Sequence, residues 1–162
     1  MKFNLLWDAH PMTHDQVSPC RDMSSGKPRF DNQCAIRMGV AFSRCNFLVK
    51  NGISLYDYPG DRCWYHPQSD NHTLRVEELT KYLKKKLPKR SMTYKSASVD
   101  DPISFDDFGA SGIIAILNFW GEGDYPQGDH IDLVNWDGYM TDGTHVDDYL
   151  SRAEKAYHWE II

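Results

Sequence analysis

The chain has 162 residues, 41% of them hydrophobic and 25% charged, a balance that suits a folded domain with a real core. Its formal net charge of −5 excludes nucleic acid as the main partner, since that binding rests on neutralising phosphates. No apolar run approaches the ~20 residues of a membrane-spanning helix, so no membrane partner is expected.

The N-terminal text "MKFNLLWDAHPMTHD" lacks a long apolar segment and a small-residue cleavage site. It does not read as a signal peptide, and synthesis in the cytoplasm is expected. A short helix is predicted near Phe3–Ala9, followed by a surface loop punctuated by Pro11, Pro19 and Pro28. Asp31 and Asn32 are good helix-capping residues. The following "QCAIRMGVAFSRC" places Cys34, Met38, Ala41 and Cys45 on one helical face. Gly52 and Pro59 break the next segment, and "YDYPGDRCWYHPQSDN" reads as a long irregular loop.

A second helix is predicted in "TLRVEELTKYLKKKL", where Val76, Leu79, Leu83 and Leu87 recur at helical spacing and Pro88 stops the run. Lys81, Lys84, Lys85, Lys86, Lys89 and Arg90 crowd its end. A solvated face that suits the helix dipole explains them better than a patch for an anionic polymer. From Ser111 the text changes to strands: "SGIIAILNFW", then a "GEGDYPQGD" loop, then "HIDLVNWDGYMTD" as strand–turn–strand, and a final strand in "AYHWEII". Helices first and strands second predict an α+β fold, N-terminal helices packed on a C-terminal antiparallel sheet, in a single domain spanning 1–162.

The chemistry turns on a cysteine. Cys20, Cys34, Cys45 and Cys63 show no Cys-x-x-Cys spacing, so no structural metal site is expected. A Cys20–Cys63 disulfide is compatible with an oxidising compartment. Cys34 alone begins a predicted helix, where orphan amides and the dipole favour a thiolate. A nucleophilic thiol also needs a base and a group that orients the base. His10, His14, His66 and His72 fall in loop-like text and His158 lies between aromatics, whereas His130 opens a core strand.

The orienting group should approach from the neighbouring strand. A three-residue turn at Trp136-Asp137-Gly138 sets Asp142 opposite His130, and a two-residue turn brings His145 there instead. Asp132 shares the face of His130 two residues along. Asp142 is favoured, then His145, then Asp132. "DGTHVDD" lacks the ligand order of a calcium loop, and "GEGDYPQGD" fits neither phosphate-loop spacing.

The ordered blocks "NQCAIRMGVAF" and "GIIAILNFWGEGDYPQGDHIDLVNWDG" resemble the family 4 type VI secretion amidase effectors, small papain-like cysteine amidases related to NlpC-type cell-wall peptidases. The resemblance rests on Asn32, Cys34, Ile36, Arg37 and Met38, on Gly112, Ile113 and Ile114, on Trp120 and Gly121, and on His130. It implies a papain-like, NlpC-like fold with Cys34 as nucleophile, His130 as general base and Asp142 as the acid. "LVNWDG" departs from the pattern by about two extra residues, and Asp129 precedes the histidine where a smaller residue is usual. Asn32, Gln33 and Trp120 fall where the oxyanion and substrate are held. The implied substrate is the γ-D-glutamyl–meso-diaminopimelic acid bond of peptidoglycan stem peptides, cleaved without a cofactor. Delivery by the type VI apparatus into a rival's periplasm and a periplasmic immunity protein as partner are implied with it. A non-catalytic binding module and a housekeeping wall hydrolase on the same fold are the alternatives.

Overall fold

A computed structural model describes residues 2–50, 57–88, 91–96, 98, 100–121 and 127–162, without the side chains of 48 and 49. Gly52, Lys89, Arg90 and positions 122–126 of the "GEGDYPQGD" loop lie outside the described residues. The chain divides into two compact units, Met1–Tyr82 and Leu83–Ile162.

The first unit is helical. Helix α1 (Phe3–Ala9) buries Phe3 and Leu6 one turn apart, and Pro11 opens a short 3-10 turn after it. Helix α2 (Cys34–Arg44) buries eight residues, from Cys34 to Phe42, too many for an edge helix. Phe42 stacks on Phe47, at the start of the short helix α3 (Phe47–Lys50), with ring centroids 5.0 Å apart. Ile36 and Val40 pack with Cys20 and Cys63, against Phe30 and Leu74.

The irregular segment 71–73 lies directly along α2. Asn71 Nδ2 donates to the Gly39 carbonyl at 3.0 Å, and Thr73 Oγ1 donates to the Ala35 carbonyl at 2.7 Å. A Cβ at position 39 would stand 2.0 Å from the Asn71 carbonyl oxygen, so glycine is what admits this approach. Helix α4 (Val76–Lys86) follows the predicted spacing: Val76, Leu79, Leu83 and Leu87 are all buried. Among its lysines, Lys81 pairs with Glu77 at 2.9 Å and Lys84 lies over the Tyr157 ring at 4.2 Å. No described helix is long and apolar enough to cross a membrane.

The second unit is an antiparallel sheet of β1 (Ser91–Lys95), β2 (Gly112–Phe119), β3 (Gly128–Val134) and β4 (Lys155–Glu160), in the order β1-β4-β2-β3. The last strand is inserted between β1 and β2. Ile114 and Ile116 of β2 sit across from Asp132 and His130 of β3. That face carries Ile114, Ile116, Val134 and Ala156 into a core closed by Met140, Val146 and Leu150. Val146 precedes and Leu150 ends the four-residue helix α5 (Asp147–Leu150), which the sequence did not predict, nor did it predict β1.

The expected strand after β3 does not form. Asn135 accepts the Asp137 and Tyr139 amides on its side-chain oxygen, at 3.0 and 2.9 Å, and Gly138 takes φ 81°. The return pairing is reduced to isolated bridges, Val134 with Met140 and Tyr139 with His145.

Candidate functional site

In the first unit, Cys34 is the first residue of α2 and only 2% exposed. Asn32, one residue before the N-cap Gln33, turns its side-chain oxygen onto the Cys34 amide at 3.1 Å, while Gln33 makes no side-chain cap bond. Gln33 has a different task. Its side-chain oxygen accepts the Cys20 amide at 2.8 Å, and its Nε2 donates to the carbonyls of Cys20 and Phe30 at 2.8 and 3.1 Å. Both Nε2 protons are committed, and the side chain ties the Cys20 loop to the start of α2.

Cys20 and Cys45 are held toward the neutral thiol. Burial, first, then the hydrogen bond and charge of Cys63 push the Cys20 thiol up to about 12, against a smaller pull from Arg29. Cys45 closes the opposite end of α2, donates its thiol proton to the Ala41 carbonyl at 3.2 Å, and is raised by burial. The helix dipole opposes a thiolate at that end and favours one at Cys34.

In the second unit, His130 and Asp132 lie on one face of β3. The Nε2 of His130 stands 3.6 Å from Asp132 Oδ2, with both side chains buried. The other carboxylate oxygen of Asp132 accepts the Thr141 hydroxyl at 2.6 Å and the Leu133 amide at 2.7 Å. Tyr149 of α5 lies flat on the imidazole, with centroids 4.9 Å apart and planes 8° from parallel. The ring is thus fixed in plane by Tyr149 and turned by Asp132.

Asp142 is not opposite His130. The Val134–Met140 bridge shifts the return chain two residues from the predicted register, and the Met140 amide bonding Thr144 at 2.9 Å turns the chain away. Asp142 is exposed at that turn, its carboxylate accepting the Thr144 amide at 2.8 Å. Thr141 takes the inward place instead. His145 caps the approach to α5, accepting the Asp147 amide at 3.3 Å with its edge against Tyr139. Of the three candidates for the orienting group, Asp132 is the one that joins His130. Sequence reasoning missed Thr141 and Tyr149, and ranked Asp132 last although alternation already put it on the right face.

Trp120 follows β2 and is 37% exposed, its carbonyl held by the Arg152 guanidinium. The first unit also gathers one set of residues able to hold a metal among those described: Cys20, Cys63, His66 and His72, whose ligand atoms all lie within 4.8 Å of one another.

Residues 30–159 match the model of the family described as type VI secretion system (T6SS), amidase effector protein 4. The effector Tae4 from Salmonella typhimurium, in the structure of the effector–immunity system Tae4/Tai4, superposes with a TM-score of 0.63 at 21% identity, covering 99% of this chain and 98% of that one. The same effector in complex with the immunity protein Tai4 from Enterobacter cloacae gives 0.60 over the same shares at 21% identity. These likenesses establish the α+β, papain-like NlpC-type fold. Among curated proteins none matches the chain.

Proposed function

This chain belongs to the type VI secretion system amidase effector protein 4 family, and on that footing we propose that it hydrolyses peptidoglycan stem peptides by a Cys34–His130–Asp132 thiol mechanism. The bond cleaved is the γ-D-glutamyl–meso-diaminopimelic acid amide, in the periplasm of a rival cell reached through the type VI apparatus. The observation that carries the mechanism is the buried His130–Asp132 pair with its Thr141 and Tyr149 supports.

With Nε2 turned toward Asp132, Nδ1 is the nitrogen that exchanges a proton with the Cys34 thiol. The thiolate attacks the amide carbonyl, and the Asp132 carboxylate stabilises the imidazolium that results. The start of α2 supplies positive potential for the oxyanion, and Asn32 Nδ2 supplies a donor, its Oδ1 being held by the Cys34 amide. His130 returns its proton to the leaving amine, and a water activated by the same ring hydrolyses the thioester. Exposed Trp120 offers an aromatic surface to the substrate. No step calls for a cofactor. The relatives are effector–immunity complexes, and a cognate periplasmic immunity protein is the partner this reading assigns.

Purified peptidoglycan digested with wild type and with Cys34→Ala tests the reading. Wild type releases stem-peptide fragments with a new diaminopimelic acid amino group, and Cys34→Ala does not. Equal, absent release by both would instead favour a non-catalytic binding module. Release by wild type at another bond would refute the assigned specificity alone.

A further inference from the structure

We propose that Cys20, Cys63, His66 and His72 form a tetrahedral zinc site that braces the first unit. The two sulfurs stand 3.5 Å apart, and the Nδ1 of His66 is 3.7 Å from Cys20 Sγ and 3.4 Å from Cys63 Sγ. A tetrahedron with Zn–S of ~2.3 Å and Zn–N of ~2.0–2.1 Å has S–S edges of ~3.8 Å and S–N edges of ~3.5 Å. These three edges fall within a few tenths of an ångström of those values, and all four ligand atoms lie within 4.8 Å of one another.

The fourth corner is His72. It is 5% exposed, its ring centroid lies 4.3 Å from that of His66, and its Nδ1 is buried without a hydrogen-bond partner. A buried imidazole left so is costly in a purely hydrogen-bonded cluster. Two thiolates, two neutral imidazoles and one dication make a closed, net-neutral centre, which suits this degree of burial. Thiolate and imidazole together select zinc over the hard oxygen-seeking cations.

The surroundings are those of a structural site rather than a catalytic one. Four protein ligands leave no position for a reacting water. Gln33 grips both backbone groups of Cys20, and the Cys63 amide donates to the His72 carbonyl at 2.9 Å, which fixes the two loops against each other. The metal would therefore cross-link the Cys20 loop, the 63–66 turn and the 71–73 segment that lies on α2. This role does not depend on the reaction assigned to Cys34.

The test uses the full chain, purified from a cytoplasmic expression host under reducing, chelator-free conditions. Metal analysis is expected to find about one zinc per chain, and cobalt(II) added to metal-stripped protein to give the thiolate charge-transfer and tetrahedral bands of a sulfur–nitrogen site. His66→Ala should weaken zinc binding by more than the ~10–100-fold that losing an outer-shell partner costs. Cys45→Ser should bind as wild type does. The proposal fails if folded wild type takes up neither zinc nor cobalt. It fails too if His66→Ala binds as tightly as wild type, or if Cys20 and Cys63 are already joined as a disulfide in protein never exposed to oxidant. The cobalt titration is made on wild type, so a variant that does not fold leaves the test standing.

Discussion

Replacing Asp132 with asparagine removes one charge from a buried pair and keeps the shape of the side chain. At 3.6 Å and an effective dielectric of ~20, two unit charges attract by about 4–5 kcal/mol, the most the carboxylate can give a protonated His130. Part of that is lost to other interactions of the imidazolium, so about 3–4 kcal/mol of transition-state stabilisation is expected to go. The carboxamide adds a second effect, because its NH2 facing Nε2 would favour the tautomer with the proton on Nδ1, the nitrogen needed as base. The expected outcome is a fall in kcat/KM of about 10²–10³. Thr141→Val tests the same support one step out. It leaves the carboxylate short of one charge-assisted hydrogen bond, worth about 1–3 kcal/mol, and should lower the rate in proportion to how far Asp132 turns.

The assay is chromatographic measurement of fragments released from a defined stem peptide, over a range of pH, with circular dichroism to compare folded fractions. Asp142→Ala is the internal control. Its carboxylate is exposed and caps one amide in a turn, so the rate should stay within about threefold of wild type. A folded Asp132→Asn with wild-type rate, beside an Asp142→Ala that loses a hundredfold or more, would refute the assignment of the acid.

Gly39→Ala should destabilise the protein by about 2–4 kcal/mol in urea denaturation, because its Cβ meets the Asn71 carbonyl and dislodges the hydrogen bonds of segment 71–73 to α2. A change under about 0.5 kcal/mol would mean that this segment is not seated as described. His158 is held down to about 4 by burial, with its ring stacked on Phe108. Between pH ~6.5 and 4 the unfolded chain binds a proton that the folded one refuses, so this contribution is complete above ~6.5 and falls with pH by up to about 3 kcal/mol. Urea midpoints should fall more steeply for wild type than for His158→Phe on that acid limb; parallel curves would show that another group sets the slope. Gln33→Ala strips partners from the Cys20 amide and from two carbonyls, and should lower stability by about 2–4 kcal/mol with the cooperativity of unfolding retained.

What the sequence revealed and what it hid divide along a physical line. The start of α2 was legible because Asp31 and Asn32 precede a run with helical apolar spacing, and the helix begins at Cys34. Strands β2, β3 and β4 were legible from their apolar text. The turn after β3 was not, because its course is decided by one side chain: Asn135 satisfies two amides that a ladder would otherwise use. Alternation alone cannot see that competition, and the whole choice of Asp142 hung on it. Strand β1 escaped because it is an edge strand with little burial on either face. Helix α5 is too short to show a period, and the Phe105 amide on the Asp147 carboxylate at 2.7 Å comes from far along the chain. The four-residue metal cluster was hidden by the search for paired cysteines. Its local signal is Cys63-x2-His66-x5-His72, and its fourth ligand is 43 residues before Cys63.

Two adjacent carboxamides show how Cys34 is held. Asn32 is exposed and Gln33 is 2% exposed, and burial decides their roles. A buried amide group must satisfy its oxygen and both hydrogens within the protein, so Gln33 spends all three on Cys20 and Phe30 and becomes a strut. An exposed one needs only its oxygen fixed, so Asn32 can hold the Cys34 amide while its Nδ2 stays with solvent, where an incoming carbonyl would displace water. Exchanging the two residues would break both functions, since asparagine is one methylene too short to span the two Cys20 backbone groups. The start of α2 therefore depends on the Cys20 loop, and the position of Cys34 is set by the same hydrogen bonds that set Cys20.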